Sequence, residues 1–148
     1  MPYEQIQDEL SKPTPITRIY VFNPSLDNMN GDEVKVIIDT GSGITSLPES
    51  IIRGLGTLEY TTINIRSPID ENKVASKKLY KVRLEFLEIE DTDEKSHEIE
   101  VFAIPRDYGI IGRDVLHRYK IVLDSKKEQW GFECRWSDGD NCIVPISS

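Results

Sequence analysis

One acidic side chain stands where an apolar strand meets a glycine-containing turn. Asp39 follows the apolar residues at 36–38 and precedes Thr40, Gly41, Ser42 and Gly43. A carboxylate in this position is costly if it is buried without partners, so it must be exposed, hydrogen-bonded or sharing a proton. Glycine lets backbone N–H groups approach the carboxylate, and threonine adds a hydroxyl. Because Asp-Thr-Gly also occurs in ordinary turns, this segment alone leaves a purely structural turn open.

A second segment combines two apolar residues, a glycine and a short helix. Residues 110–116 read Ile-Ile-Gly-Arg-Asp-Val-Leu, and the apolar residues 121–123 then precede Asp124. Together with Asp-Thr-Gly-Ser at 39–42, these segments occur in an order that resembles the retropepsin-like aspartic proteases. Cellular and prokaryotic members are closest in pattern, and the resemblance spans residues 16–132.

The resemblance implies an all-β fold, a retropepsin-like closed barrel lobe with one or two short helices, that acts as a homodimer. In that family each of two identical chains provides one aspartate at the dimer axis, and Asp39 corresponds to this catalytic residue. Two adjacent carboxyl groups share one proton, so one activates water and the other stabilises the oxyanion. Thr40 corresponds to the threonine that hydrogen-bonds across the axis, and Gly41 to the glycine that faces substrate.

Two positions next to this motif need their own interpretation. Ser42 stands where viral members commonly carry alanine, and we expect its hydroxyl to donate to the Asp39 carboxylate and stabilise the charged form. Gly43 replaces an acidic residue that receives the arginine after Ile-Ile-Gly in viral enzymes, which leaves the partner of Arg113 open. The resemblance implies that substrate contacts come from Gly41, Gly43, Ile69, Asp70 and Ile111.

The polar tip at 67–72 falls where the family has its flap, a hairpin that closes over bound peptide. It lacks the glycines of viral flaps, and Pro68, Asp70 and Glu71 indicate a stiffer lid. An exposed hairpin with no gating role is the alternative.

Short strands separated by turn signals are typical of an all-β barrel or sandwich. We predict strands at 16–23, 34–38, 58–66, 73–90, 98–104, 119–124 and 128–132. One short helix is predicted at 46–52, with Pro48 in its first turn, and a second at 113–118.

The predicted domain organisation has three parts. Residues 1–15 form a flexible N-terminal arm, 16–132 the protease-like domain and 133–148 a C-terminal extension. The last two predicted strands should form a hairpin in an intermolecular sheet, with Trp130 and Phe132 on its apolar side.

Composition excludes several classes of function. The 148 residues carry a net charge of -8, which repels nucleic acid, and the short apolar runs predict no membrane segment. The start of the sequence lacks the features of a secretory signal, so we expect a cytoplasmic location.

The cysteines and histidines indicate no cofactor. Cys134 and Cys142 flank a turn signal, and both a disulfide and two reduced thiols remain open. His97 and His117 have no partners at metal-ligand spacing, so we expect surface histidines and no metal.

Three hypotheses follow. The first is an aspartic endopeptidase, a hydrolase that cleaves polypeptide substrates as a homodimer through two Asp39 carboxyls. The second is a catalytically silent, protease-like module for dimerisation or peptide binding. The third is an unrelated β-barrel binder, which the second motif disfavours.

Overall fold

Strands account for most of the secondary structure in the computed structural model, which describes residues 3–4, 14–26, 31–66, 69, 72–87 and 96–134. The strands of these residues are Tyr3–Glu4 (β1), Thr14–Phe22 (β2), Asp32–Ile38 (β3), Ser46–Pro48 (β4), Tyr60–Arg66 (β5), Val74–Phe86 (β6), Ser96–Ile104 (β7), Gly109–Ile111 (β8), Tyr119–Asp124 (β9) and Gln129–Cys134 (β10). The helices are Glu49–Gly54 (α1) and Arg113–Leu116 (α2).

The first eight strands form one sheet that closes on itself. Its order is β1-β2-β3-β8-β4-β7-β6-β5, and β2 pairs with β6 as well as with β3. This extra antiparallel pairing runs from Ile19 opposite Phe86 to Phe22 opposite Arg83. The closed sheet confirms the predicted all-β barrel-like lobe.

The core lies inside this closed sheet because its strands alternate apolar and polar residues. In β3, Val34, Val36 and Ile38 are buried, whereas Asp32, Glu33 and Lys35 are exposed. The largest fully buried side chains are Trp130, Phe86, Ile19, Leu47, Leu84 and Ile111.

A parallel pairing between β3 and β8 brings the two sequence motifs together. Ile38, which precedes Asp39, lies opposite Ile111, which precedes Gly112. The residues after both strands therefore emerge at the same edge of the sheet.

The first predicted helix begins later than expected. Ser46–Pro48 forms β4, whose three residues are buried and pair in parallel with β7, and the helix starts at Glu49. Pro48 is the N-cap, with an extended ψ of 137°, and not a first-turn residue. The sheet pairing outweighs the local proline signal. The second helix ends at Leu116, two residues before the predicted end at 118.

The C-terminal hairpin is confirmed. β9 and β10 pair antiparallel, with Trp130 opposite Leu123. Trp130 is fully buried, and its indole N–H donates to the Ile16 carbonyl at 3.2 Å. This hydrogen bond attaches the hairpin to β2. The side chain of Phe132 lies outside the described residues, and the intermolecular sheet stays a prediction.

The prediction of a surface position is wrong for His97, which is 4% exposed, and right for His117, which is exposed. Nδ1 of His97 lies 3.1 Å from Nη1 of Arg118, and its Nε2 contacts the Tyr119 hydroxyl. Because a guanidinium only donates, Nδ1 accepts and Nε2 carries the proton. Neutral His97 thus joins β7 to β9.

Some predictions concern residues that the structure describes in part or not at all. In the predicted arm, Tyr3–Glu4 pairs with Thr14 and Pro15, so β2 begins before residue 16. The predicted flap falls outside the described residues except for Ile69 and Asn72, and so do Cys142 and most of the extension at 133–148. The domain boundaries stay a prediction. No helix of the described residues has the length and apolar character needed to cross a membrane.

Trp130 provides a test of the core. Trp130→Ala should lower the free energy of unfolding by about 3–5 kcal/mol, because it removes a fully buried aromatic side chain. Trp130→Phe should cost about 1–3 kcal/mol, since it leaves the Ile16 carbonyl without its donor. Urea unfolding followed by circular dichroism measures both effects.

The control is Val74→Ala, at a position 54% exposed on β6, which should change the free energy of unfolding by less than about 0.5 kcal/mol. All variants should be compared at one protein concentration, because self-association would shift the apparent stability. A Trp130→Ala variant as stable as the Val74→Ala control would contradict the buried position.

Candidate active site

Asp39 lies half-buried at the end of β3, and the backbone around it is held on both sides. Its amide donates to the Ile111 carbonyl at 3.0 Å, and its carbonyl accepts from the Ser42 amide at 3.2 Å. Its carboxylate Oδ1 accepts the Gly41 amide at 2.9 Å. Within the described residues Oδ2 accepts no hydrogen bond, so one oxygen is fixed and the other is available.

The segment after β8 holds the turn that follows Asp39. The Arg113 amide donates to the Ser42 carbonyl at 2.8 Å, and Arg113 Nη1 donates to the Thr40 carbonyl at 2.9 Å. The sequence left the partner of Arg113 open, and the structure identifies it as this backbone carbonyl. Because a carbonyl is present at every residue, Arg113 needs no acidic side chain at position 43.

The backbones are also in close contact at Gly112. A Cβ built there would lie 2.9 Å from both the Ser42 carbonyl oxygen and the Ile44 carbonyl carbon. Real Cβ atoms do not approach backbone atoms this closely, so only glycine permits the approach. Glycine at this position sets the distance between the two motifs.

The expected contact between Ser42 and Asp39 is wrong. The Ser42 hydroxyl donates to the Ile44 carbonyl at 2.8 Å, two residues along the chain. A serine hydroxyl has one proton to donate, and a nearby backbone carbonyl competes for it. Ser42 therefore supports the turn and not the charged form of the carboxylate.

The other predicted site residues have different environments. Thr40, Gly41 and Gly43 are exposed in the turn after Asp39, and Ile69 is 95% exposed. Asp70 lies outside the described residues. The prediction that Ile111 contacts substrate is wrong for its side chain, which is fully buried in the core. Its backbone carbonyl instead accepts the Asp39 amide.

Sequence reasoning gave no role to Thr45 or Asp114, which the structure brings together beside this turn. Thr45 is fully buried, and Asp114 follows Arg113 in the first turn of α2. A threonine between an isoleucine and a serine gave little signal in the sequence, because threonine is common in strands and turns.

Among the described residues, no group of three or more His, Cys, Asp or Glu side chains is arranged to hold a metal ion. The chemistry that this arrangement supports is proton transfer by a fixed carboxylate.

A family model described as aspartyl protease matches residues 28–115, a segment that contains Asp39 and Arg113. The chain belongs to the aspartyl protease family. The match supports its membership among the retropepsin-like members of this family, as the sequence motifs predicted. No curated protein sequence matches the chain.

Solved protease structures resemble this family member. The simian foamy virus (mac) protease in solution shares 18% identity at a TM-score of 0.49, over 69% of this chain and 91% of that one. The EIAV protease complexed with the inhibitor HBY-793 shares 16% identity at a TM-score of 0.48. The likeness covers 76% of this chain and 92% of that one. The foamy viral protease-reverse transcriptase in complex with RNA/DNA hybrid shares 20% identity at a TM-score of 0.50. The likeness covers 72% of this chain and 12% of that one. At this identity the last likeness shows the fold alone.

Gly112→Ala should destabilise the protease lobe by about 1–3 kcal/mol, because the added methyl group meets backbone atoms that cannot move independently. The matched control is Gly43→Ala, whose Cβ would meet only Arg113 Nη2 at an ordinary 3.5 Å. Urea unfolding of both variants measures the difference. Equal stabilities would show that the backbones do not approach as closely as described.

Ser42→Ala should leave the pH dependence of kcat/KM unchanged, because the hydroxyl is committed to the Ile44 carbonyl. The variant should lower the free energy of unfolding by about 0.5–1.5 kcal/mol, because one hydrogen bond is lost. The measurements are a pH profile on one peptide and an unfolding curve. A pH profile of Ser42→Ala displaced from that of wild type would contradict this result and support a contact between Ser42 and Asp39.

Proposed function

We propose that the protein is an aspartic endopeptidase whose site forms from two copies of this chain, each contributing one Asp39. The observation that carries the proposal is the half-buried carboxylate at the end of β3, fixed through Oδ1 by the Gly41 amide in a chain of the aspartyl protease family. Exposed Thr40 and Gly41 beside it leave room for a second chain and for substrate backbone.

The reaction is general acid–base hydrolysis. Two carboxyl groups about 3 Å apart cannot both ionise cheaply, so the pair holds one proton. The ionised Asp39 takes a proton from water as its oxygen attacks the scissile carbonyl. The protonated Asp39 of the other chain donates a hydrogen bond to the developing oxyanion. Breakdown of the tetrahedral intermediate then protonates the leaving amine.

Among the described residues, Asp39 supplies one half of this arrangement. Asp114, the carboxylate held against the same turn, is committed to Thr45. The second carboxyl therefore comes from a second chain, and symmetry places identical groups at a twofold axis. The fixed Oδ1 orients each carboxylate, while Oδ2 is available for the shared proton or the water.

The substrate class is an extended polypeptide. The glycines at 41 and 43 are exposed, and a missing side chain lets a peptide backbone approach closely. The cytoplasmic location and the closing flap stay proposals, since they depend on the sequence alone.

Mixing wild-type protein with the Asp39→Asn variant tests catalysis and the shared site together. Asp39→Asn alone should be inactive and folded. Wild-type protein at a fixed concentration should lose about half of its activity with one equivalent of variant and about nine tenths with nine equivalents, because random exchange places wild-type chains in mixed dimers. Activity is measured on denatured protein at several values between about pH 3.5 and 7, because general acid–base catalysis depends on pH.

Two controls accompany the mixing experiment, and two outcomes would favour an alternative. A statine-type inhibitor should block cleavage, and a chelator should leave the rate unchanged. Wild-type activity that excess variant does not reduce would show that single chains are sufficient. A folded, dimeric wild type that cleaves nothing would favour the silent module for dimerisation or peptide binding.

A further inference from the structure

Thr45 ends the segment that begins at Asp39, and each of its polar atoms is hydrogen-bonded. Its amide donates to Asp114 Oδ2 at 3.0 Å, and its hydroxyl donates to Asp114 Oδ1 at 2.7 Å. The hydroxyl also accepts the Gly112 amide at 3.1 Å, and its carbonyl accepts the Phe102 amide at 3.1 Å. Thr45 is fully buried, so water cannot replace any of these partners.

The direction of these hydrogen bonds makes the Asp114 side chain the acceptor. The Gly112 amide can only donate, so the Thr45 hydroxyl accepts there and its own proton points to Asp114. The Val115 amide also donates to Asp114 Oδ1, at 2.9 Å. Three donors thus face the two oxygens of Asp114, which accept all of them.

Asp114 and Arg113 hold opposite ends of the same loop. Arg113 binds the Thr40 carbonyl, one residue after Asp39, whereas Asp114 binds Thr45 at the far end. Both residues belong to the first turn of α2. The loop 40–45 is therefore clamped at two points by adjacent residues of one short helix.

We propose that Asp114 is a positioning residue for catalysis: through Thr45 it fixes the loop that orients the Asp39 carboxylate. This inference rests on the proposed function. Two carboxyl groups share a proton only within hydrogen-bonding distance, and a displacement of about 1 Å can reduce the rate of catalysis about 100-fold. Substrate binding depends on contacts spread along a peptide, so loss of the clamp affects kcat more than KM.

The side chains allow a test with almost no change in shape. Asp114→Asn is isosteric but places an amide NH₂ against one of the Thr45 donors. Thr45→Val is isosteric and removes the hydroxyl, whereas Thr45→Ser keeps it. Asp32→Asn is the matched control, an exposed carboxylate at the start of β3, the end away from Asp39.

The experiment measures kcat and KM of the full chain on a quenched-fluorescence peptide that contains a cleavage site found in denatured casein. Rates are expressed per inhibitor-titrated site, so unfolded or monomeric protein does not count. Asp114→Asn and Thr45→Val should each lower kcat about 10- to 100-fold with KM within about twofold. Thr45→Ser and Asp32→Asn should stay within about twofold of wild type in both parameters.

The double variant Asp114→Asn/Thr45→Val distinguishes one pathway from two. If Asp114 acts through Thr45, the double variant loses about as much kcat as either single variant. Multiplied losses would overturn the inference, and so would a kcat per titrated site equal to that of wild type. A Thr45→Ser variant as impaired as Thr45→Val would also overturn it, because the hydroxyl would then be irrelevant.

A second readout does not require turnover. Hydrogen exchange at the Gly41 amide reports its hydrogen bond to Asp39 Oδ1, and should become about 10-fold faster in Asp114→Asn and Thr45→Val. If wild-type protein cleaves nothing, the proposed function fails, yet faster exchange would still support the positioning of Asp39 by Asp114. Unchanged exchange in both variants would overturn the clamp itself.

Discussion

The close approach of Gly112 to the turn after Asp39 is the constraint on which the site depends. No side chain fits between the two backbones, since a Cβ on Gly112 would lie 2.9 Å from the Ser42 carbonyl oxygen. At this distance the Gly112 amide reaches the Thr45 hydroxyl, and the Arg113 amide reaches the Ser42 carbonyl. The turn after Asp39 is thus held by hydrogen bonds to the segment that follows β8.

The parallel pairing of β3 with β8 creates this approach. Parallel strands require a long crossover, and here the chain from 39 to 108 builds β4 to β7 before β8 inserts beside β3. The pairing is therefore among the most non-local contacts in the lobe, and forming it carries a large loop-closure cost. The Asp39 turn gains its partners through this pairing, so the geometry of the site depends on the closed sheet.

What the sequence predicted and what it missed follow from the range of the interactions. The position of Asp39 directly after β3 and the hairpin of β9 and β10 were predictable, because short motifs and turn signals specify them. The start of α1 was not, because the β4 pairing with β7 decides it. The Ser42 hydroxyl, the buried Ile111 and the buried His97 were also missed. In each case a partner distant in the sequence, or a competing backbone carbonyl, determines where the side chain points.

The Asp39 carboxylate is less completely hydrogen-bonded than the side chains of His97 and Asp114. Both ring nitrogens of His97 are engaged, and both oxygens of Asp114 are engaged. Asp39 engages one carboxylate oxygen within the described residues and remains half-buried, so water can solvate the other in a single chain. In the proposed dimer that water gives way to a second carboxylate, and the repulsion between two charges favours uptake of one proton.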